Sequence, residues 1–158
     1  MRTILAILAV AILFLPLQAR TRTTHSRLST GSVAVEVLPA SVTDSLSAGI
    51  SPNAVSLRGF NKRASDSKES FFITNNLQHR ISAVRLLLRY TTVSGEMLHE
   101  RTVTIPVTLN AGDTQLVSIK SFDIQRLFYY YAGPKPRKSA TPFKVAYRLL
   151  GYDIPVGY

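Results

Sequence analysis

The feature that most constrains the fold is a segment in which apolar and polar side chains alternate. In residues 81–92, Val84, Leu86, Leu88 and Tyr90 occupy one face of an extended chain. Successive side chains of a β-strand point to opposite faces of its sheet, whereas a helix repeats about every 3.6 residues. The pattern therefore predicts a strand with one buried face, and it argues against an amphipathic helix in this segment.

A glycine-containing turn follows this strand and predicts a hairpin. Residues 93–96 read Val-Ser-Gly-Glu, and glycine readily adopts the positive φ that tight hairpin turns require. If the serine and the glycine are the two turn residues, Arg89 lies opposite Glu100. The same register places Leu86 opposite Val103. An ion pair and an apolar pair across the strands both favour this register.

Six further segments show strand signals, and turn-forming residues separate them. Pro106 interrupts one of these segments and predicts an edge strand or a bulge, because proline cannot donate to the hydrogen-bond ladder. In another segment, Val55, Leu57 and Gly59 are predicted to share one face. The six segments are residues 33–38, 54–60, 71–73, 97–107, 114–120 and 143–149.

Residues 123–131 allow two interpretations. Ile124, Leu127, Phe128 and Tyr131 fit helical spacing, whereas the run of aromatic residues favours a strand. No long helix is predicted elsewhere in the chain. The sequence therefore predicts an all-β fold, namely a single antiparallel β-sandwich of about seven strands.

Part of the chain resembles a known family of small domains. Residues 69–119 resemble the immunoglobulin-like sandwich domains of exported bacterial proteins, in particular the FxLYD type. The matching segments are Phe-Ile-Thr-Asn at 72–75, the long strand 84–90, Gly-Glu-Met-Leu at 95–98 and the Leu-x-x-Gly turn within 109–114. The resemblance implies an immunoglobulin-like fold and a binding, spacer or accessory module more readily than a catalyst.

The amino-terminal residues have the layout of a secretory signal. A basic start precedes an apolar run at residues 4–17, and small Ala19 precedes the expected cleavage point. We therefore predict a signal peptide at residues 1–19, a disordered basic arm at residues 20–32 and the sandwich domain at residues 33–158. An uncleaved anchor formed by residues 4–17 remains the alternative. Either alternative predicts an exported bacterial protein of the periplasm or cell surface.

The composition and the motifs exclude several kinds of site. The chain has no cysteine, which excludes disulfides, cysteine-ligated metals and a cysteine nucleophile. His99 and Glu100 are adjacent on a predicted strand, so they point to opposite faces and cannot form a dyad. Asp113 and Asp123 are interpreted as a turn acid and a capping acid. We predict no catalytic residue, no metal site and no cofactor.

A basic loop provides the candidate binding residues. Residues 133–141 contain two prolines and three cations, and three tyrosines occupy residues 129–131 just before the loop. Aromatic faces stack on sugars, and cations attract phosphate, sulfate or carboxylate groups. The predicted site consists of Tyr130, Lys135, Arg137 and Lys138. The alternative is two core aromatic residues beside a solvated loop.

Three functional hypotheses follow from these features. The first is a non-catalytic envelope protein with a structural or protein-interaction role. The second is a binder of anionic envelope glycans or lipid headgroups through residues 134–138. The third, remote hypothesis is a hydrolase. The net charge of +10 does not by itself predict a nucleic-acid partner, because an exported protein rarely meets nucleic acid.

Overall fold

The structure is a computed structural model that describes residues 32–39 and 49–155. Within these ranges the chain forms eight strands and no helix. These residues therefore contain no helix long and apolar enough to span a membrane. The predicted signal peptide and all of the predicted arm except Ser32 lie outside the described residues. The strands are β1 (Glu36–Val37), β2 (Val55–Asn61), β3 (Lys68–Asn75), β4 (Ile81–Thr92), β5 (Met97–Leu109), β6 (Thr114–Lys120), β7 (Phe128–Tyr130) and β8 (Thr141–Asp153).

The eight strands form two sheets, and the all-β prediction is confirmed. One sheet has the order β1-β8-β4-β5, with β7 also paired to β8, and the other has the order β2-β3-β6. The pairs of β8 with β1 and with β7 are parallel, and the other strand pairs are antiparallel. The prediction of a purely antiparallel arrangement is therefore wrong at β8. One edge of β8 pairs with β4, and its other edge pairs with the short parallel strands β1 and β7 instead of with an antiparallel strand.

One hydrophobic core joins the two sheets. The buried side chains of β2 and β3 form a single cluster with those of β4, β5 and β8. The ring of Phe60 in β2 lies 6.1 Å from that of Phe143 in β8. The Tyr147 hydroxyl donates a hydrogen bond to the Val55 carbonyl across the core, at 3.3 Å. The alternating apolar residues of the sequence thus face one another between the sheets.

The predicted register of the β4–β5 hairpin is confirmed, although its turn differs from the prediction. Arg89 pairs with Glu100, and Leu86 pairs with Val103. The turn itself closes where the Gly95 N–H donates to the Thr92 carbonyl, and Gly95 has a φ of 97°. This is a three-residue loop, for which a glycine in the left-handed region is typical.

A bulge restores the register that the longer loop would otherwise shift. Thr91 pairs with Met97, whereas the preceding Tyr90 pairs with His99. Leu98 is therefore the extra residue on β5. The body of the hairpin then has the pairing that a two-residue turn would give, because the extra loop residue and the bulge compensate each other.

The structure corrects the predicted face of β2. The register with β3 shifts between Arg58 and Asn61, and Gly59 in this bulge has a φ of 62°. The irregularity makes Phe60 the buried residue after Leu57, where alternation alone predicted Gly59. A side chain at Gly59 would also meet the ring of Phe72, with Cβ about 3.1 Å from it.

Two other predictions are refined. The predicted strand at 33–38 joins both sheets: the Val35 N–H donates to the Leu57 carbonyl of β2, and the Leu38 N–H donates to the Tyr147 carbonyl of β8. Pro106 lies both on the last strand of its sheet and beside a register shift, so the predicted edge and the predicted bulge are both present.

Candidate functional site

Several loops meet at one end of the two sheets. Lys68 at the start of β3 pairs with Lys120 at the end of β6, so the loops 62–67 and 121–127 emerge together. Phe128 at the start of β7 pairs with Thr141 at the start of β8. This pairing brings the predicted basic loop to the same end of the molecule.

These loops enclose an open groove of about 800 Å³ with a strongly basic lining. The lining residues come from three parts of the chain, namely residues 63–65, Arg126 and residues 134–139. Among the described residues that line the groove, none is acidic and none is a histidine. Its cationic side chains are Arg63, Arg126, Lys135, Arg137 and Lys138.

The structure brings together three of the four predicted site residues. Lys135, Arg137 and Lys138 are all exposed and line the groove. Tyr130 is only 5% exposed, and its ring packs 5.0 Å from that of Phe60 in the core. Burial raises the pKa of Tyr130 to about 12. Tyr130 therefore packs in the core and does not line the groove, as the alternative of core aromatic residues beside the loop expects.

The neighbouring tyrosine is the exposed member of the aromatic run. Tyr131 is 45% exposed. The Lys144 ammonium lies 5.8 Å from the centre of its ring, within the range of a cation–π contact. Strand β7 is short and contributes Tyr130 to the core, so alternation turns the next side chain outward.

A buried ion pair beside the groove joins the 62–67 loop to the 121–127 loop. The Lys62 ammonium lies 2.7 Å from the Asp123 carboxylate, and both side chains are buried. The same ammonium donates to the Phe128 carbonyl at 2.7 Å. Lys62 precedes the groove residue Arg63, and it ties the β2–β3 loop to the segment before β7. The sequence alone did not identify Lys62 as a buried residue.

Asp123 also fixes the turn that presents Arg126. Its carboxylate accepts hydrogen bonds from the Leu127 N–H at 3.0 Å and the Phe128 N–H at 2.8 Å. The described residues contain no helix for Asp123 to cap, so the predicted capping acid instead binds the backbone of a turn. Arg126, inside the turn, has a φ of 60°, a conformation that costs a non-glycine residue about 1–2 kcal/mol. The surrounding hydrogen bonds hold it there.

The pKa of Asp123 reflects two opposing effects. Burial acts to raise the pKa, because it penalises the charged carboxylate. The hydrogen bonds from Lys62 and from the two backbone N–H groups act in the opposite direction and lower the pKa below its usual value. The ionised carboxylate is therefore part of the native arrangement at neutral pH.

A second buried polar cluster surrounds Glu69. Its carboxylate accepts hydrogen bonds from the Tyr90 hydroxyl at 2.7 Å and the Ser121 hydroxyl at 2.8 Å. The Phe122 N–H and the Arg101 guanidinium donate to it at 3.0 Å and 3.2 Å. Burial, together with the charge of Glu69, raises the pKa of Tyr90 well above its usual range. With four donors on one carboxylate, this cluster holds strands and a loop together.

The structure also shows where His99, Glu100 and Asp113 lie. Glu100 pairs with Arg89 on one face of β5, whereas the His99 ring packs 5.7 Å from that of Phe122, so the two diverge as predicted. Asp113 accepts hydrogen bonds from the backbone and side-chain nitrogens of Asn110, which confirms it as a turn acid. No cluster of metal-ligating side chains occurs within residues 32–39 and 49–155.

Sequence reasoning missed two of the five groove cations. Arg63 and Arg126 are separated in sequence from each other and from residues 134–139, so no local pattern groups them. The signal that could have been used is the ambiguity of residues 123–131, which left the position of Arg126 open. No protein-family model, curated protein or solved structure matches this chain.

Proposed function

We propose that the protein is an exported, non-catalytic, immunoglobulin-like module that binds anionic ligands through its basic groove. The observation that carries this proposal is that five cations and no acidic residue are among the described residues that line the groove. The ligand class is a polymer or surface that presents phosphate, sulfate or carboxylate groups, such as an anionic glycan of the bacterial envelope.

The immunoglobulin-like assignment is supported by strand order. Immunoglobulin domains place strands A, B and E in one sheet and strands C and F in the other. Here β2, β3 and β6 share one sheet, as strands A, B and E do. In the other sheet β4 pairs with β8, as strand C pairs with F, and β5 lies beside β4, as strand C′ lies beside C. Strand β1 lies beside β8, where strand G would lie. The chain order of β2 to β6 followed by β8 matches that of strands A to F, whereas β1 comes first in the chain and runs parallel to β8.

The binding role is supported by the chemistry of the groove cations. Arginine presents a planar fork of donors that fits phosphate and carboxylate, and lysine contributes a compact positive charge. Histidine and carboxylate side chains are the usual groups for acid–base catalysis. None of them lines the basic groove or either of two further grooves among the described residues. Pro134 and Pro136 stiffen the loop, which lowers the entropy lost when a ligand orders it.

The test is a binding titration with a fluorescently labelled polyphosphate chain. We expect the full chain to bind the probe and the affinity to fall as salt is raised, because exposed charges are screened. The triple variant Lys135→Gln/Arg137→Gln/Lys138→Gln is expected to weaken binding by about tenfold or more. A labelled dextran sulfate distinguishes a general preference for anions from a requirement for phosphate.

A charge-matched variant provides the control. Arg58, Arg80 and Lys120 are exposed and lie outside the groove lining. Replacing all three with glutamine removes the same charge as the groove variant and is expected to leave most of the affinity. Equal losses in both variants would show that only net charge matters, and the groove assignment would then be wrong.

A second candidate function is protein interaction through the edge of β5. This strand is the last in its sheet, and with β6 it lines a further groove of about 600 Å³. An edge strand offers unpaired backbone groups to a partner strand. Pull-down from an envelope extract with the wild type and with Thr104→Lys tests this candidate. A partner that both forms capture equally well would not be using this edge.

The localisation proposal is export to the periplasm or the cell surface. It is supported by the apolar run at residues 4–17 after a basic start. Amino-terminal sequencing of the protein recovered from the envelope tests it. A start at Arg20 is expected for a cleaved signal, and a start at Met1 is expected for an anchor. Recovery only from the cytoplasm would refute export.

A further inference from the structure

The groove end of the molecule is also the end with the most exposed apolar side chains. The described residues contain nine large apolar side chains that are exposed, and five of them belong to loops or strand starts at this end. The pairing of Thr92 with Phe143 places the β4–β5 turn there, beside the start of β8. The five residues are Val93, Met97, Ile124, Leu127 and Tyr131.

Two of these side chains are adjacent to a groove cation. Ile124 is 79% exposed and Leu127 is 50% exposed, and Arg126 lies between them in the chain. The Leu127 carbonyl accepts a hydrogen bond from the Thr141 N–H at 2.8 Å, so this turn lies directly against the end of the basic loop. Apolar and cationic groups therefore form one continuous surface.

The turn is built so that these apolar side chains remain outside the core. The Asp123 carboxylate binds the N–H groups of Leu127 and Phe128, and the buried Lys62 binds Asp123 in turn. This network fixes the backbone of the turn in a conformation that leaves the Ile124 side chain exposed to water. Removing an exposed isoleucine and leucine from water lowers the free energy, which favours binding to a partner that buries them.

We propose that this end of the molecule docks on the surface of an anionic lipid bilayer. Ile124 and Leu127 enter the interfacial region, while the groove cations contact lipid phosphates. The inference rests on the proposed function, because the same cations supply the anion contacts. Basic residues beside exposed apolar groups are the combination that binds negatively charged membrane surfaces, whereas a soluble polyanion offers nothing to the apolar groups.

A single-tryptophan reporter gives a local readout. The chain contains no tryptophan, so Ile124→Trp in the full chain reports on this position alone. With vesicles of equal parts phosphatidylglycerol and phosphatidylcholine, we expect a blue shift of its emission and quenching by brominated lipids. Phosphatidylcholine vesicles alone are expected to produce neither change. The local readout also separates this contact from any contribution of the apolar residues 4–17.

A reporter at a distant position is the matched control. Leu116 is exposed on β6, away from the groove loops. Leu116→Trp is expected to show no blue shift and no quenching with the same vesicles. Adding Lys135→Gln/Arg137→Gln/Lys138→Gln to the Ile124→Trp protein is expected to weaken vesicle binding by about tenfold or more.

The outcomes separate this inference from the proposed function. Polyphosphate binding without any change at Ile124→Trp would overturn membrane docking and leave anion binding intact. Loss of both would overturn both proposals. An equal response to phosphatidylcholine alone would overturn the requirement for anionic lipid. A lipid-independent blue shift that disappears on dilution would indicate self-association through this surface, which would also overturn docking on lipid.

Discussion

The two buried polar clusters and the basic groove use the same kinds of side chain in opposite ways. Lys62 and Arg101 each contact a buried carboxylate, Asp123 and Glu69 respectively. The five groove cations form no ion pair with a described residue, and none of the described residues lining the groove is acidic. The two sets lie close together, since Lys62 directly precedes Arg63.

This difference shows which cations stabilise the fold and which are available to a ligand. A buried charge must be paired, since leaving it alone costs several kcal/mol. An exposed charge contributes little to folding and can be kept for a partner. We therefore expect the clusters to respond in stability measurements and the groove to respond in binding measurements.

The largest effect is expected from Glu69→Ala. The substitution leaves Arg101 without its carboxylate and removes the acceptor for Tyr90, Ser121 and the Phe122 N–H. We expect the free energy of unfolding, measured by urea denaturation, to fall by about 3–5 kcal/mol. Glu100→Ala breaks a more exposed ion pair and should cost less than about 1 kcal/mol. Similar losses of unfolding free energy in the two variants would contradict the expectation that the buried charges contribute more to stability than the exposed ones.

A loss of about 3 kcal/mol is expected from Lys62→Met, because the Asp123 carboxylate stays buried without its cation. The same variant should weaken polyphosphate binding, since the turn that presents Arg126 loses its anchor. Lys68→Met, on an exposed lysine, is the control and should change neither property appreciably. Polyphosphate affinity that is unchanged in the Lys62 variant would show that the ion pair does not position the groove.

The contribution of Asp123 is expected to depend on pH. Its pKa is lower in the folded state than the model-compound value of 3.8, so the stabilisation is present at neutral pH. It is lost progressively as pH falls from 3.8 through the lower pKa of the folded state, because the unfolded chain takes up the proton first. The stability difference between the wild type and Asp123→Asn should therefore narrow between pH 7 and pH 3, as measured by urea denaturation at each pH. A constant difference would contradict the lowered pKa.

The smallest effect on stability is expected from the triple groove variant, in which Lys135, Arg137 and Lys138 become glutamine. Exposed substitutions outside a packed core usually change stability by less than about 0.5 kcal/mol each. Urea denaturation should therefore give a midpoint close to that of the wild type, although anion binding is weakened. A large destabilisation would indicate that the loop holds the fold together, and the binding loss could then not be assigned to the groove.

Local patterns predicted the strands well where one face is buried along a regular ladder. Strands β4 and β6 have the predicted bounds, and the pairing of Arg89 with Glu100 is as predicted. The predictions failed where the backbone departs from regular geometry. The bulge at Gly59 moved Phe60 into the core, because alternation assumes an unbroken strand.

The candidate site was predicted in part, because its parts are scattered along the sequence. The three cations of residues 134–139 are neighbours in the chain, so composition alone identified them. Arg63 and Arg126 joined them only through the packing of separate loops. Tyr130 was a predicted site residue because it lies near the basic loop in the chain, whereas its ring packs against Phe60 and Phe143 in the core.

The sequence by itself determined three properties of this protein: its β-rich fold, the register of the β4–β5 hairpin and the strongly basic character of one loop. These properties depend on side-chain periodicity and on residues close in the chain. Only the tertiary structure decided that Lys62 is buried against Asp123, and that five cations meet in one groove. Those contacts join residues about sixty positions apart, and they form because two sheets close around one core and bring their loops together at one end.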